Sequence, residues 1–165
     1  MMPDMSKRSL PPVAVADDEI ILRSIDTRHL TKLGGKKTNI FMPPYGKAEI
    51  SVMRYCYMPI EMCKKKGKTI ALNAKQTFKG FAALKCSAAR NASVDVKDSR
   101  EYFLGHADII YSSPRPPNAE PNRAPEDVRA VSEFLTTVKR LVDACKLFLD
   151  ADPASGDWQG EEIRL

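Results

Sequence analysis

The sequence lacks the long apolar runs and the short motifs by which many membrane proteins and enzymes are identified. No stretch of its 165 residues approaches the ~18 consecutive apolar residues of a membrane-spanning helix, so no membrane partner is expected. The sequence contains no phosphate-binding glycine loop, no dinucleotide fingerprint, no nucleophile elbow and no paired-histidine zinc motif. These absences exclude the enzyme classes that a short pattern alone would reveal.

Cysteine and histidine are also scarce, with four and two residues. The cysteines form no C-x-x-C pair, and nothing indicates the secretory context that favours disulfides. The first eight residues have no apolar segment behind their charges, so no secretory signal is predicted and the expected location is the cytoplasm. With only His29 and His106 besides the cysteines, neither a metal site nor a cofactor is predicted. His29 follows Arg28 and is expected at the surface or in contact with phosphate.

Charge is abundant but unevenly distributed. Residues 1–27 carry a net charge of −2, residues 28–97 carry +12, and residues 98–165 carry −5. A concentrated positive field attracts polyanions. Aromatic residues are interleaved with the basic ones in the middle segment, a combination that suits single-stranded nucleic acid. We therefore expect this segment to contact nucleic acid or an acidic protein surface. The predicted contacts are Lys36, Lys37, Arg54, Tyr55, Tyr57, Lys64, Lys65, Lys66 and Lys68.

An alternative interpretation of the charge is structural. Lysines commonly form a solvated face, and the acidic C-terminal part could neutralise the basic segment within the fold. In that case the net charge of +12 would not mark a binding surface.

Strand-like segments dominate the first two thirds of the chain. Residues 19–25 and 49–57 are rich in β-branched and aromatic residues, and shorter strands are predicted at 69–73, 94–96 and 107–111. The segment 78–89 fits a helix or a strand, and the lysines that flank its apolar run favour a strand. Asp26 is predicted to cap a helical turn, and Pro59 to begin a short helix that ends at Gly67.

The C-terminal third is predicted to be a linker followed by a long helix. Residues 113–125 contain five prolines and should be extended. Apolar residues then recur at helical spacing over 126–150, which favours a helix packed across a sheet, or alternatively one that docks on a partner. The predicted fold is α+β, a mostly antiparallel sheet with one long C-terminal amphipathic helix on a face. The expected organisation is a flexible arm (1–17), a basic sheet-rich core (18–112), a proline-rich strap (113–125), the helix (126–151) and a tail (152–165).

One polar cluster could carry chemistry. His106 and Asp108 are two residues apart in a predicted strand, so their side chains share a face. A carboxylate beside an imidazole fixes its tautomer and raises its basicity, as a general base requires. Arg23 and Arg100 could bind phosphate. These residues would make a small enzyme that acts on nucleic acid or a nucleotide, with His106 as acid or base and Asp108 orienting it.

The same residues also have a structural interpretation. The imidazole and the carboxylate could hydrogen-bond each other at the start of a strand. Arg23 or Arg54 could then pair with the carboxylates at positions 95 and 98 in an internal network.

Three short segments carry a resemblance. Residues 21–25 (ILRSI), 50–52 (ISV) and 105–109 (GHADI) resemble a pattern of small uncharacterised bacterial proteins from mobile or defence-related gene neighbourhoods. The resemblance implies a bacterial or phage cytoplasmic protein, and it assigns no catalytic residue.

Three functions remain as hypotheses from the sequence. The first is a non-enzymatic protein that binds nucleic acid or an acidic partner through residues 28–97. The second is the small enzyme built around His106. The third is an assembly subunit that forms an oligomer or binds a partner through the helix 126–150.

Overall fold

The computed structural model describes residues 10–117 and 125–165. Within these ranges the chain forms a domain of six strands and three α-helices, which confirms the predicted α+β class. The strands are β1 (Ile20–Asp26), β2 (Glu49–Arg54), β3 (Phe78–Lys85), β4 (Asp95–Asp98), β5 (His106–Ile110) and β6 (Lys146–Leu149). The helices are α1 (Ile60–Asn73), α2 (Cys86–Asn91) and α3 (Pro125–Ala144). No helix in the described ranges is long and apolar enough to span a membrane.

The strands form a single antiparallel sheet in the order β4-β5-β2-β1-β3-β6. Strand β1 lies inside the sheet, where Leu22 pairs with Met53 of β2 on one side and with Ala83 of β3 on the other. All three side chains are buried. The near-continuous apolar run of β1 follows from this position, because an inner strand is covered on both faces.

The two faces of the sheet are covered to different extents. On the first face, Ile21 and Ile25 belong to a core that includes Phe41 and Leu141, supplied by the 3₁₀ turn at 38–41 and by α3. On the second face, α1 and the C-terminal residues pack over β1, β3 and β6. Side chains of β2, β5 and β4 on this second face remain exposed or half-buried. We call them the open sheet face: Glu49, Ser51, Asp95, Lys97, Asp108 and Ile110.

The turn after β1 forms as predicted, although His29 is not at the surface. The Asp26 side chain accepts a hydrogen bond from the backbone N of Arg28, and the 3₁₀ turn Thr27–His29 follows. His29 is buried, and its Nδ1 accepts a hydrogen bond from the backbone N of Asp26 at 2.9 Å. The histidine therefore completes a capping box and does not meet phosphate.

The prediction that Gly67 ends a helix is wrong. Helix α1 continues to Asn73, so the strand predicted at 69–73 does not form. A Cβ atom on Gly67 would lie 2.6 Å from the ring of Phe78 and 2.7 Å from the hydroxyl of Ser24. The missing side chain thus lets the middle of α1 approach the sheet closely.

The ends of two other predicted elements also differ. Strand β2 ends at Arg54, and the three residues after it form a 3₁₀ turn. The ambiguous segment 78–89 is a strand up to Lys85 and a helix from Cys86. Local pattern left both alternatives open there, and each describes part of the segment.

The long C-terminal helix is shorter than predicted. It ends at Ala144, and residues 146–149 form β6, which pairs with β3 so that Phe148 lies opposite Phe81. The apolar residues of β6 continue the helical spacing of α3, so periodicity alone predicts a longer helix. Packing against β3 makes this segment a strand. Lys36 stabilises the helix end, because its Nζ donates to the carbonyls of Val142 (2.8 Å) and Cys145 (2.9 Å).

Parts of the predicted arm and strap, residues 1–9 and 118–124, lie outside the described residues. Residues 11–17 of the arm contact the folded domain: the carbonyl of Pro11 accepts a hydrogen bond from Arg100, and Val15 is buried. At the start of the strap, the backbone N of Arg115 donates to the carbonyl of Lys47 at 2.7 Å. Both segments therefore begin or end against the sheet domain.

Candidate functional site

A groove of about 530 Å³ lies over the open sheet face. Ser51 on β2 and Asp108 on β5 are cross-strand partners, and His106 lies two residues before Asp108 on the same face. All three line the groove, together with the loop 44–48 and with Tyr102 and Phe103. The alternation of side chains along β5 thus brings His106 and Asp108 together, as the sequence predicted.

His106 is held in a fixed orientation. Its Nδ1 lies 2.5 Å from the Oγ of Ser99, a hydrogen bond between two buried side chains. The rings of Tyr102 and Phe103 contact the imidazole, with centroids 5.0 and 4.9 Å away. Burial lowers the pKa of His106, so the ring is neutral at pH 7. No residue of the described ranges hydrogen-bonds to its Nε2, which leaves that nitrogen for a ligand.

Aromatic and charged side chains surround this groove. Tyr102 is 71% exposed although its ring rests on His106. Lys66 reaches across from α1, with its Nζ 4.4 Å from the ring centroid of Phe103. Lys47 lies in the lining itself, and Lys97 is the cross-strand neighbour of Asp108. The groove therefore combines an exposed ring with cations and with carboxylates that can accept hydrogen bonds.

Arg23 and Arg100, the two predicted phosphate ligands, do not line the groove. The guanidinium of Arg23 donates from Nε to the carbonyl of Ile40 (3.1 Å) and from Nη1 to that of Ser51 (3.0 Å). Its neighbours Ile21 and Ile25, on the same side of β1, belong to the first-face core. Arg100 pairs with Asp98 at 2.7 Å. Of the four predicted catalytic residues, the sheet thus brings only His106 and Asp108 together.

Arg54 is fully buried and has no free hydrogen-bond donor. It donates to both carboxylate oxygens of Glu19 and to Asp98, and its two remaining N–H groups bond the carbonyls of Pro12 and Ala14. Burial alone would raise the pKa of Glu19, but the hydrogen bonds from Arg54 and from the backbone of Ala16 outweigh burial and lower it. Arg54 is thus part of an internal network, as the structural interpretation proposed, and is not available to phosphate.

The three consecutive lysines of α1 point in three directions, because successive helical residues are about 100° apart. Lys64 is buried, 2.8 Å from Asp150, and its Nζ also donates to backbone carbonyls of the C-terminal loop. Lys65 is exposed and, like part of Lys64, lines a second groove beside α1. Lys66 faces Phe103. The sequence run KKK therefore does not form one contiguous basic patch.

The other predicted contacts are also dispersed. Lys36 caps α3, as described above, while Lys37 is exposed. Tyr55 packs against the second-face core, and Tyr57 lies under the guanidinium of Arg54 at 4.6 Å. Lys68 donates a long hydrogen bond, 3.4 Å, to a carbonyl of the C-terminal loop. Of the nine predicted residues, Lys66 makes a described contact with the wall of the groove.

Several residues of the site are not among the catalytic and nucleic-acid-binding residues that the sequence predicts: Lys47, Ser51, Ser99, Tyr102 and Phe103. Ser99 and the two aromatic residues lie within seven positions of His106, and this closeness was the one available signal. Lys47 and Ser51 come from a distant part of the chain, and only strand pairing brings them to the groove.

Comparison with protein families, with curated proteins and with solved structures gives no significant match for this chain. Among the described residues, no cluster of three or more histidine, cysteine, aspartate or glutamate side chains is arranged to hold a metal ion. The functional argument therefore rests on the geometry of the groove.

Proposed function

We propose that the protein binds single-stranded nucleic acid in the groove over the open sheet face. The observation that carries the proposal is the position of Tyr102, which is 71% exposed at the groove while its ring rests on the buried imidazole of His106. An exposed ring that packs against a buried side chain is a platform on which a base can stack. A buried aromatic side chain could not offer such a surface.

The charges around the groove support the same ligand. Lys47 lines the groove and Lys66 contacts Phe103 of the same lining, so each would supply a cation for a phosphate next to a stacked base. Glu49 and Asp108 would repel phosphate, but each can accept a hydrogen bond from the amino group of a base. The Nε2 of His106 offers one further hydrogen bond. A ligand that carries both phosphates and amino groups therefore suits the groove, which favours a nucleic acid. An acidic protein surface would bring further carboxylates towards Glu49 and Asp108 without base amino groups to donate hydrogen bonds to them.

Fluorescence anisotropy with labelled single-stranded DNA and RNA, at about 50 to 200 mM salt, tests the proposal. Tyr102→Ala should weaken binding about tenfold, within the range expected for the loss of one stacked base, and Tyr102→Phe should restore it. Leu104→Ala, a change at a half-exposed neighbour in the same loop, is the matched control. Absence of binding at the lowest salt, or equal affinity of the Ala variant, would overturn the proposal.

The salt dependence of binding tests the phosphate contacts of the lysines separately from base stacking on Tyr102. Lys66→Gln should lower the slope of log affinity against log salt by about one, because one phosphate contact is lost. Lys32→Gln removes an exposed lysine of the same basic segment, away from the groove lining, and should leave the slope unchanged. Equal slopes for both variants would mean that Lys66 does not contact phosphate.

A second candidate function is hydrolysis of the bound strand, favoured by the hydrogen bond between Ser99 and His106. In the tautomer whose Nδ1–H donates to the Oγ of Ser99, the neutral imidazole has its lone pair at Nε2 and can accept a proton from a water that attacks a phosphodiester. The P–O bond to the leaving sugar oxygen breaks, and Nε2 returns the proton to that oxygen. If so, wild-type protein should cleave a labelled oligonucleotide that His106→Gln still binds but does not cleave. Binding without cleavage by the wild type would exclude this function and keep the first.

A further inference from the structure

A second groove, of about 770 Å³, runs between α1 and the C-terminal loop 153–156. One stripe of the helix lines it, with Met62, Lys65, Lys68, Thr69 and Leu72 at the three- and four-residue intervals of a helical face. The sheet side adds Phe78, and the loop adds Pro153 and Ala154. None of these residues lines the groove over the open sheet face.

Two apolar residues of this stripe have exposed side chains. Leu72, in the last turn of α1, is 74% exposed, and Met62, in its first turn, is 42% exposed. Exposed apolar side chains grouped along a groove mark a surface that another molecule covers. They do not suit nucleic acid, because the lining offers no exposed aromatic ring on which a base could stack.

The charge of the rim indicates the chemistry of that molecule. Lys65 is exposed and Lys68 half-buried, whereas Glu61 is the one acidic residue of the lining. The floor is apolar and the rim has an excess of positive charge. A complementary ligand therefore presents apolar side chains to the floor and carboxylates to the lysines.

The groove is also built before any ligand arrives. Lys64, on the buried side of α1, is 2.8 Å from Asp150 and donates to the carbonyls of Asp152 and Asp157, at 3.0 and 2.5 Å. These bonds fix the loop that forms the far wall against the helix that forms the near wall. A preformed groove binds a peptide without an ordering cost for the protein.

We propose that this groove docks an acidic peptide segment of another protein, with two apolar anchors, one on Met62 and one on Leu72, and carboxylates on Lys65 and Lys68. The proposal is independent of nucleic-acid binding, because the two grooves share no lining residue. Lys66, on another side of α1, contacts Phe103 and takes no part in it.

The test uses the full chain and three labelled synthetic peptides of equal length. Each peptide carries leucines at positions i and i+11, which lie about 16 Å apart on one face of a helix and so match the ~15 Å between positions 62 and 72 of α1. The charged positions of the three peptides carry glutamate, glutamine or lysine. We expect the glutamate peptide to bind in an anisotropy titration, and the lysine peptide to bind at least tenfold more weakly. Equal binding of all three peptides, or binding of none, would overturn the proposal.

Two sets of variants locate the site. Leu72→Glu should weaken binding of the glutamate peptide at least tenfold, while Ile70→Glu, on the same helix but outside the groove lining, should not. Reversing both lysines, Lys65→Glu with Lys68→Glu, should exchange the preference so that the lysine peptide binds better. An unchanged preference would contradict the assignment of the rim.

Two other occupants are excluded by further measurements. An unlabelled oligonucleotide should not displace the glutamate peptide, and displacement would mean that the groove binds polyanions in general. Sedimentation equilibrium should show no self-association that Leu72→Glu abolishes. Such self-association would make a second copy of this chain the occupant and overturn the proposal.

Discussion

Arg54 and Glu19 form a bidentate ion pair inside the protein, with Nε and Nη2 of the arginine each 2.8 Å from a carboxylate oxygen. Asp98 accepts from Nη1 at 2.7 Å, so two carboxylates from different parts of the chain meet one guanidinium. The carbonyls of Pro12 and Ala14 take the remaining donors. Through this one side chain, β2 is tied to the start of β1, to β4 and to the N-terminal segment.

Replacement of Arg54 should therefore destabilise the fold strongly. Arg54→Gln leaves the carboxylates of Glu19 and Asp98 buried without their cation, and loss of one partner of such a pair costs about 3–5 kcal/mol. Urea unfolding followed by circular dichroism would measure the change in the free energy of unfolding. Arg140→Gln, the same change at an exposed position of α3, should cost less than about 0.5 kcal/mol. Similar values for both variants would show that the buried network does not stabilise the protein.

Adjacent lysines of α1 should differ in the same way. Lys64→Met removes the cation that lies 2.8 Å from the buried Asp150, and with it the bonds that hold the C-terminal loop. Lys65→Met changes an exposed side chain one position further on. We expect the first variant to lose several kcal/mol of unfolding free energy, up to about 5, and the second to stay within about 0.5. Equal midpoints in thermal and urea unfolding would contradict the burial of Lys64.

The substitution Gly67→Ala should change the free energy of unfolding in the opposite direction from Gly→Ala in an exposed helix. In an exposed helix, Gly→Ala stabilises by about 1 kcal/mol, because alanine is the better helix former. At Gly67 the added methyl group would meet the ring of Phe78 at 2.6 Å, so Gly67→Ala should destabilise by about 1–3 kcal/mol instead. The matched change Gly156→Ala meets no atom within 4 Å and should be nearly neutral. Stabilisation by Gly67→Ala would mean that α1 packs less closely on the sheet.

The features that could be predicted from the sequence depend on residues that are close together in the chain. The β-branched run of β1, the Asp26 cap and the alternation of His106 and Asp108 depend on residues a few positions apart, and all three are confirmed. The end of α3 depends on the pairing of Phe148 with Phe81, 67 positions earlier, and periodicity cannot show such a contact.

The candidate site shows the same limit. A basic residue has the same letter whether it is buried like Arg54, caps a helix like Lys36, or rests on a ring like Lys66. The charge of the middle segment therefore follows from its composition, while the partner of each cation depends on the tertiary fold. Likewise, the groove beside Tyr102 depends on the strand pairing that brings Ser51 beside Asp108.

His29 should make the stability depend on pH. Burial lowers its pKa to about 4, whereas an unfolded histidine titrates near 6.5. Between these two pH values the unfolded chain binds a proton that the folded chain does not. The stability that this group contributes should therefore be fully present above about pH 6.5 and be lost as the pH decreases towards 4. The slope due to this one group is at most about 1.4 kcal/mol per pH unit.

The variant His29→Asn separates this effect from other titrations. Its side-chain oxygen can accept the hydrogen bond from the backbone N of Asp26 that Nδ1 now accepts at 2.9 Å, but it cannot be protonated in this range. Urea unfolding at pH 7, 6 and 5 should show a smaller loss of stability in the variant than in the wild type.

The pH 5–7 window lies above the range in which the carboxyl of Asp26 titrates, because its pKa is lowered. Burial would raise this pKa, but the hydrogen bonds from Arg28 outweigh burial. The lowered pKa of His106 contributes equally to both proteins, so the difference between the two curves reports His29 alone. Parallel curves would mean that His29 is not held neutral inside the fold.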